Sequence, residues 1–150
     1  MAYPVCVDAS ILMKWLVPEE DSTRALDLLT HLIDTGATIV EPVLCLYEVP
    51  SAIRRKVAKR QLSEKEADET LAKFHFLAMQ LNISIEEHRR IQRAWDIASE
   101  FGLGRIYDCI YLALAEELGA DCWTADEKFH SVLSSDFQRL RLLSHFTPGG

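Results

Sequence analysis

The sequence predicts an α/β fold, a three-layer α/β/α sandwich in which helices cover both faces of a short, mostly parallel central sheet. Short apolar runs alternate with longer helical patterns along the chain, which is typical of parallel sheets. The chain has 150 residues, of which 49% are apolar and 26% charged, and these values suit one globular domain. We therefore predict a single domain at 1–146 and a frayed tail at 147–150.

The individual elements are predicted from apolar spacing and from capping and breaking residues. Tyr3 to Val7 is a short apolar run that predicts a first strand, and Tyr107 to Leu118 is apolar on nearly every side, which predicts a buried helix. Ser10 and Ser22 are the expected N-caps of the first two helices. Further strands are predicted at 38–40, 83–85, 121–124 and 140–143. Further helices are predicted at 11–16, 22–36, 43–60, 63–81, 86–101 and 127–133.

Composition restricts the classes of function. With 16 basic and 23 acidic residues the chain carries a formal charge of −7, which argues against coating nucleic acid through bulk charge but does not exclude a nuclease. No apolar run approaches the roughly 20 residues of a membrane-spanning helix, and the N-terminus lacks a secretory signal. The cysteines contain no CxxC pair, so we expect a reduced cytoplasmic protein rather than a disulfide framework or a zinc site.

Four acids stand in apolar stretches, unlike the other acids of the chain, and two of them follow predicted strands. They are Asp8, Glu48, Asp108 and Asp126. In parallel sheets ligands bind beyond the carboxyl ends of the strands, so these acids are candidates for one site. Two carboxylates ~4 Å apart repel by about 4 kcal/mol at an effective dielectric of 20. A shared proton or a divalent cation relieves that repulsion.

Oxygen-only ligands favour one or two Mg²⁺ or Mn²⁺ ions over zinc, and such ions activate water for phosphodiester hydrolysis. Each acid also has a simpler interpretation. Asp8, Asp108 and Asp126 could each cap a helix, and Glu48 could be a solvated helix residue. The pattern alone leaves convergence of the four acids open.

The chain resembles PIN-domain ribonucleases, specifically the VapC-type toxins of type II toxin–antitoxin modules. The matching stretches are VCVDASILMKWL at 5–16, EPVLCLYEV at 41–49, YDCIYLALAEELGADCWTADEKF at 107–129 and the region 140–143. The resemblance implies that the same four acids are catalytic and bind metal, with the hydroxyls of Ser10 and Thr124 beside them. It further implies Mg²⁺- or Mn²⁺-dependent RNA cleavage, a cytoplasmic homodimer, and an antitoxin whose C-terminal segment covers the site.

The sequence departs from the family pattern at Pro50, where the family commonly has Asn two residues after the site glutamate. Proline lacks an amide donor and clashes with the carbonyl four residues earlier. We therefore predict a kink or a late helix start near Glu48, at 46–50. Any substrate contact made by the usual Asn is lost.

Basic residues cluster at 54–60, a stretch without an acid. We predict RNA contacts for Arg54, Arg55 and Lys56, and for Lys14 after the first site acid. A solvated helix end with favourable C-terminal cations explains the cluster equally well.

Two other functions stay open at the level of sequence. One is a catalytically silent PIN-like scaffold that binds a partner or RNA. The other is a phosphoacceptor or phosphatase-like domain with Asp8 as nucleophile, which Ser10 two residues later disfavours because such domains place a second acid or a lysine in characteristic positions nearby.

Overall fold

The computed structural model describes residues 2–149, which fold into seven α-helices and one five-stranded sheet. The strands are β1 Tyr3–Val7, β2 Ala37–Pro42, β3 Asn82–Ser84, β4 Asp121–Thr124 and β5 Leu140–Leu142. The helices are α1 Ala9–Leu16, α2 Ser22–Asp34, α3 Cys45–Ala58, α4 Glu64–Ala78, α5 His88–Glu100, α6 Tyr107–Leu118 and α7 Glu127–Leu133, and a 3₁₀ turn at Leu143–His145 follows β5.

The sheet has the order β3-β2-β1-β4-β5, and every neighbouring pair is parallel. Val5 of the central strand pairs with Ile39 on one side and with Asp121 on the other. The predicted α/β/α fold class is therefore confirmed. Chain order along the sheet reverses between β1 and β4, which is where open parallel sheets bind ligands.

Helix α6 is the buried helix that the apolar pattern predicts. All seven residues from Cys109 to Ala115 are buried, and the helix packs across β1, β2 and β4, with α5 on its outer side. Each large apolar side chain that is fully buried contributes about 1.5–3 kcal/mol. Because Asp108 lies in the first turn of this helix, its position relative to the sheet is determined by that packing.

The first two helices do not use the predicted serine caps. Asp8, not Ser10, is the N-cap of α1, because its carboxylate reaches the amides of the first turn from two positions further back. In α2 the N-cap is Asp21, which adopts a left-handed conformation (φ 62°) without a side-chain cap bond. The Ser22 hydroxyl instead accepts from the Glu19 amide at 2.8 Å and so stabilises the preceding loop.

Pro50 does not break α3, which continues from Cys45 through Pro50 to Ala58. The helix is therefore not interrupted near Glu48, and the predicted late start there is wrong because α3 begins at Cys45. Irregular bonding is seen earlier, where the amides at 46–47 bond to carbonyls three residues back at 3.0 Å each. The missing donor of Pro50 removes one bond, and the buried neighbour Val49 holds this turn against the core.

The C-terminal residues 147–149 are exposed and lie outside helices and strands. Gly150 and Met1 lie outside the described residues, so the division at 146 stays a prediction. Within 2–149 no helix is long and apolar enough to cross a bilayer. The four cysteines are buried free thiols.

Candidate active site

Asp8 lies at the end of the central strand, where the order of strands reverses. Its side chain is 2% exposed, and Oδ1 accepts from the backbone amides of Ser10 at 3.0 Å and Ile11 at 3.3 Å. The capping interpretation of Asp8 is thus true, and it is compatible with a role in the site because the hydrogen bonds that cap α1 all use Oδ1.

The hydroxyls of Ser10 and Thr124 connect the ends of β1 and β4. Ser10 donates its hydroxyl to Asp8 Oδ1 and accepts from the Ala125 amide at 2.9 Å. Thr124 is fully buried and accepts from the Asp126 amide at 3.1 Å, and its hydroxyl is close enough to lower the pKa of Asp8. Both hydroxyls therefore lie beside Asp8 and link the ends of β1 and β4.

Three of the four predicted acids line one open cleft of about 500 Å³. Glu48 comes from the first turn of α3 and Asp108 from the first turn of α6. Asp126 is the N-cap of α7, where its Oδ1 accepts from the Phe129 amide at 2.9 Å. Asp8 does not line this cleft because it is nearly enclosed. The fold thus brings three acids to one surface and leaves the fourth buried at the adjoining strand end.

The acids repel one another and are poorly solvated. Burial raises the pKa of Asp8 from its ordinary 3.8 to about 7, and the charge of Asp108 adds to the shift. The pKa of Asp108 rises to about 6, through burial and then through the charges of Glu48 and Asp126. Burial also raises the pKa of Glu48, although the Tyr111 hydroxyl opposes the shift. The site therefore lacks positive charge at its centre.

The donor set fits a hard divalent cation that keeps part of its water shell. Carboxylate oxygens are the ligands that Mg²⁺ and Mn²⁺ prefer, and Glu48 Oε1 is buried without a hydrogen-bond partner. Among residues 2–149, no three His, Cys, Asp or Glu side chains are grouped tightly enough to hold an ion by themselves. Mg²⁺ commonly binds through one or two carboxylates and several waters, so a closed protein cage is not required.

The basic residues predicted to contact RNA are divided by the fold. Lys14, Arg55 and Lys56 line the cleft, together with Lys59, which was not singled out. The ammonium of Lys56 lies 2.8 Å and that of Lys14 3.5 Å from the carboxylate of Glu19. Arg54 is outside the cleft and forms an exposed ion pair with Glu64 at 2.7 Å.

Three charged residues near the site escaped sequence reasoning. Glu41 is fully buried in β2, and its Oε1 accepts from the Val7 amide at 2.8 Å while Oε2 has no partner. Burial raises the pKa of Glu41 well above the usual range. An acid inside the apolar run of β2 was the available signal. Arg105, whose charge lowers the pKa of Asp108 and Glu48, and Glu19 gave no local signal.

Comparison with known proteins agrees with the fold described above. The family model described as the PIN domain matches residues 5–133. Ribonuclease VapC3 of Pyrobaculum aerophilum is 28% identical over 134 residues, which cover 85% of this chain and 96% of the relative.

Solved structures share the fold at lower identity. A toxin–antitoxin complex from Klebsiella pneumoniae superposes with a TM-score of 0.61 at 15% identity, covering 85% of this chain and 90% of the other. VapC20 of Mycobacterium tuberculosis, described as a toxin that cleaves the sarcin–ricin loop, has a TM-score of 0.63 at 14% identity, with 91% and 98% covered. At these identities the similarity concerns the fold.

Proposed function

The chain belongs to the PIN domain family, and from that premise we propose that it is a metal-dependent endoribonuclease, the toxin of a toxin–antitoxin module. The membership confirms the resemblance predicted from the sequence. The similarity to Ribonuclease VapC3, which extends over almost the whole relative, supports RNA as the substrate.

One observation carries the proposal. Glu48, Asp108 and Asp126 line one cleft beside the switch point of the sheet, and Asp8 stands at the end of the adjacent central strand. Burial and the neighbouring carboxylates raise the pKa values of Asp8 and Asp108, and Arg105 only partly opposes the shift of Asp108, so the negative charge of this cluster is poorly compensated by the protein. A cluster of this kind is suited to a divalent cation and unsuited to direct contact with a phosphate.

The residues at the site have different roles in the proposed hydrolysis. One or two of Asp8, Asp108 and Asp126 would hold a Mg²⁺ or Mn²⁺ ion directly and the others would reach it through water, and the ion would supply an activated water and a Lewis acid for the phosphoryl group. Glu48 lines the cleft and would accept a hydrogen bond from the attacking water or complete a second metal site. Ser10 and Thr124 hold the two strand ends together, so that the acids keep their separation.

The partners follow from the same family membership. We propose RNA as substrate, a cognate antitoxin whose C-terminal segment covers the cleft, and a homodimer acting in the cytoplasm. The relative solved as a toxin–antitoxin complex supports the antitoxin, and four free, buried thiols are compatible with a reducing compartment. Co-expression with the protein encoded directly upstream, followed by size-exclusion chromatography, tests both assemblies.

Asp8→Asn is the decisive variant. Asn keeps an Oδ1 acceptor and is as good an N-cap as Asp, so α1 should remain capped while the metal ligand loses its charge. We expect cleavage of total RNA by the wild type in Mg²⁺ or Mn²⁺, none with chelator, and none by the variant. Circular dichroism should show an unchanged fold.

Asp34→Asn is the matched control, because Asp34 is an exposed acid at the end of α2. It should cleave RNA as the wild type does. Undiminished cleavage by the Asp8 variant, or cleavage that survives the chelator, would refute the proposed function.

A further inference from the structure

A second cavity adjoins the active-site cleft on the side away from α3. It has a volume of about 170 Å³ and shares Asp108 and Asp126 with the cleft. The loop before α6 contributes Leu103, Gly104 and Arg105, and α7 contributes Lys128, Phe129 and Val132. Sites for whole drug-sized ligands measure about 300–1,000 Å³, so this cavity has room for a part of a ligand that extends into the cleft.

Two cations stand in this second cavity without acidic partners. Arg105 and Lys128 are both exposed, and within 2–149 neither forms an ion pair. The charge of Arg105 nevertheless reaches the acids, since it lowers the pKa of Asp108 and of Glu48. An unpaired guanidinium and ammonium near one another are suited to a phosphate group.

The remaining surface of the second cavity is apolar. Leu103, Phe129 and Val132 line the cavity, and Phe129 is 7% exposed. The Phe129 amide donates to Asp126 Oδ1 at 2.9 Å, so the apolar surface is held at a constant distance from a site acid. Apolar and aromatic groups beside cations are the combination that binds single-stranded RNA.

We infer that the second cavity binds the nucleotide next to the scissile phosphate, on the opposite side from the cations of α3. Arg105 and Lys128 hold its phosphate, and Leu103, Phe129 and Val132 contact its ribose or base. RNA then crosses the acids from the α3 wall to the α6–α7 wall, with the reacting phosphate between. This inference rests on the proposed function, because it assigns a part of the same substrate.

The test compares two substrates in two double variants. The cleaved bond is first mapped in a mixed-sequence RNA. Oligonucleotides that contain this bond are then made: one extends beyond the bond on both sides, and the others are shortened from the 5′ or the 3′ end until only the nucleotide at the bond remains on that side. For the wild type, trimming from one end should lower kcat/KM about tenfold or more, the size expected for losing charged hydrogen bonds. In Arg105→Gln/Lys128→Gln that advantage of the longer RNA should fall to less than about twofold.

The control is Lys73→Gln/Arg89→Gln, which makes the same change of charge at exposed positions outside the second cavity. It should keep the full advantage of the longer RNA. An equal loss on long and trimmed RNA in the cavity variant would mean bulk attraction only and would overturn the inference. A wild type that cleaves no RNA would refute the proposed function and the inference with it, whereas a wild type that cleaves long and trimmed RNA equally would refute the inference alone.

Discussion

The two walls that flank the acids differ in their number of cations but not in the number left unpaired. Four cations line the α3 side and two line the α6–α7 side, and two on each side form no ion pair among residues 2–149. On the α3 side, Glu19 neutralises Lys14 and Lys56, and Arg55 and Lys59 line the cleft without an ion pair among residues 2–149. On the α6–α7 side the two cations are unpaired. The comparison teaches that a count of basic residues does not measure the positive field that a substrate meets.

The difference arises from one loop. Pro18 ends the segment after α1, and the loop that follows carries Glu19 to the mouth of the cleft, where it lies 2.8 Å from Lys56 of α3. An opposite charge at contact distance cancels most of the field of an ammonium beyond a few ångströms. Arg105 lies near Asp108 and lowers its pKa, but among residues 2–149 no acid lies within ion-pair distance of Arg105. Lys14 and Lys56 would therefore add to the positive charge of the α3 wall if Glu19 were not paired with them.

The largest expected effect concerns the acids that both walls border. Asp8 and Asp108 have pKa values of about 7 and about 6 in the folded protein against 3.8 when unfolded, so between about pH 4 and 7 the folded state binds more protons. Without metal, the free energy of unfolding should therefore fall as the pH rises through that window. Between pH 5 and pH 7 the fall should be about 4 kcal/mol, because Asp8 stays protonated over about two of these pH units and Asp108 over about one, at 1.36 kcal/mol per unit.

Urea denaturation at pH 5 and pH 7.5 with chelator measures this change. Mn²⁺ or Mg²⁺ added at pH 7.5 should restore stability, since an ion that binds only the folded state stabilises it. Asp8→Asn should flatten the pH dependence because Asn does not titrate. Stability that rises between pH 5 and 7.5 without metal would show that the acids are far enough apart to ionise freely.

Arg54 and Arg55 are neighbours in the sequence, but only Arg55 lines the cleft. Comparing them tests whether RNA binding depends on a place in the cleft or on the charge of the whole basic stretch. Arg55→Gln should weaken RNA binding about five- to tenfold, because it removes an unpaired cation from the cleft wall. Arg54→Gln should change it by less than about twofold, since Arg54 is paired with Glu64 outside the cleft. Fluorescence anisotropy with a labelled RNA in chelator measures both. Equal losses would mean that the basic cluster at 54–60 acts through its total charge.

The smallest expected effect tests whether Glu19 keeps Lys14 and Lys56 from binding RNA. Glu19→Gln should release Lys14 and Lys56 and tighten RNA binding by about two- to fourfold, as expected for partly exposed ion pairs worth up to about 1 kcal/mol. The slope of log K against log salt should steepen by about 0.7 for each lysine that gains a phosphate contact. Glu20→Gln is the control, because its exposed carboxylate forms no ion pair within 2–149. Unchanged affinity in the Glu19 variant would mean that the lysines do not face the RNA.

Most of the fold follows from local patterns. Strand β1, helix α6, strand β4 and helix α7 have the limits that apolar spacing predicts, because each is bounded by a residue that changes the pattern, such as Asp8 or Gly119. The expected cap failed at Ser10 because Asp8, two positions earlier, bonds the amides of the first turn. It failed at Ser22 because the Ser22 hydroxyl accepts from the Glu19 amide in the preceding loop. The effect of Pro50 was also overestimated, because the packing of Val49 opposes the local penalty of proline.

The sequence by itself determined the parallel α/β fold, the family, and the acids Asp8 and Asp126 at two strand ends, because these depend on periodicity and on residues next to one another in the chain. Only the tertiary structure decided that Asp8 is enclosed while the other acids line the cleft, that Glu19 neutralises Lys14 and Lys56, and that Arg105 lies beside Asp108. The physical reason is that charge acts through space. Its effect depends on burial and on partners far apart in the sequence, such as Glu19 and Lys56, which are 37 residues apart, and the local pattern contains neither.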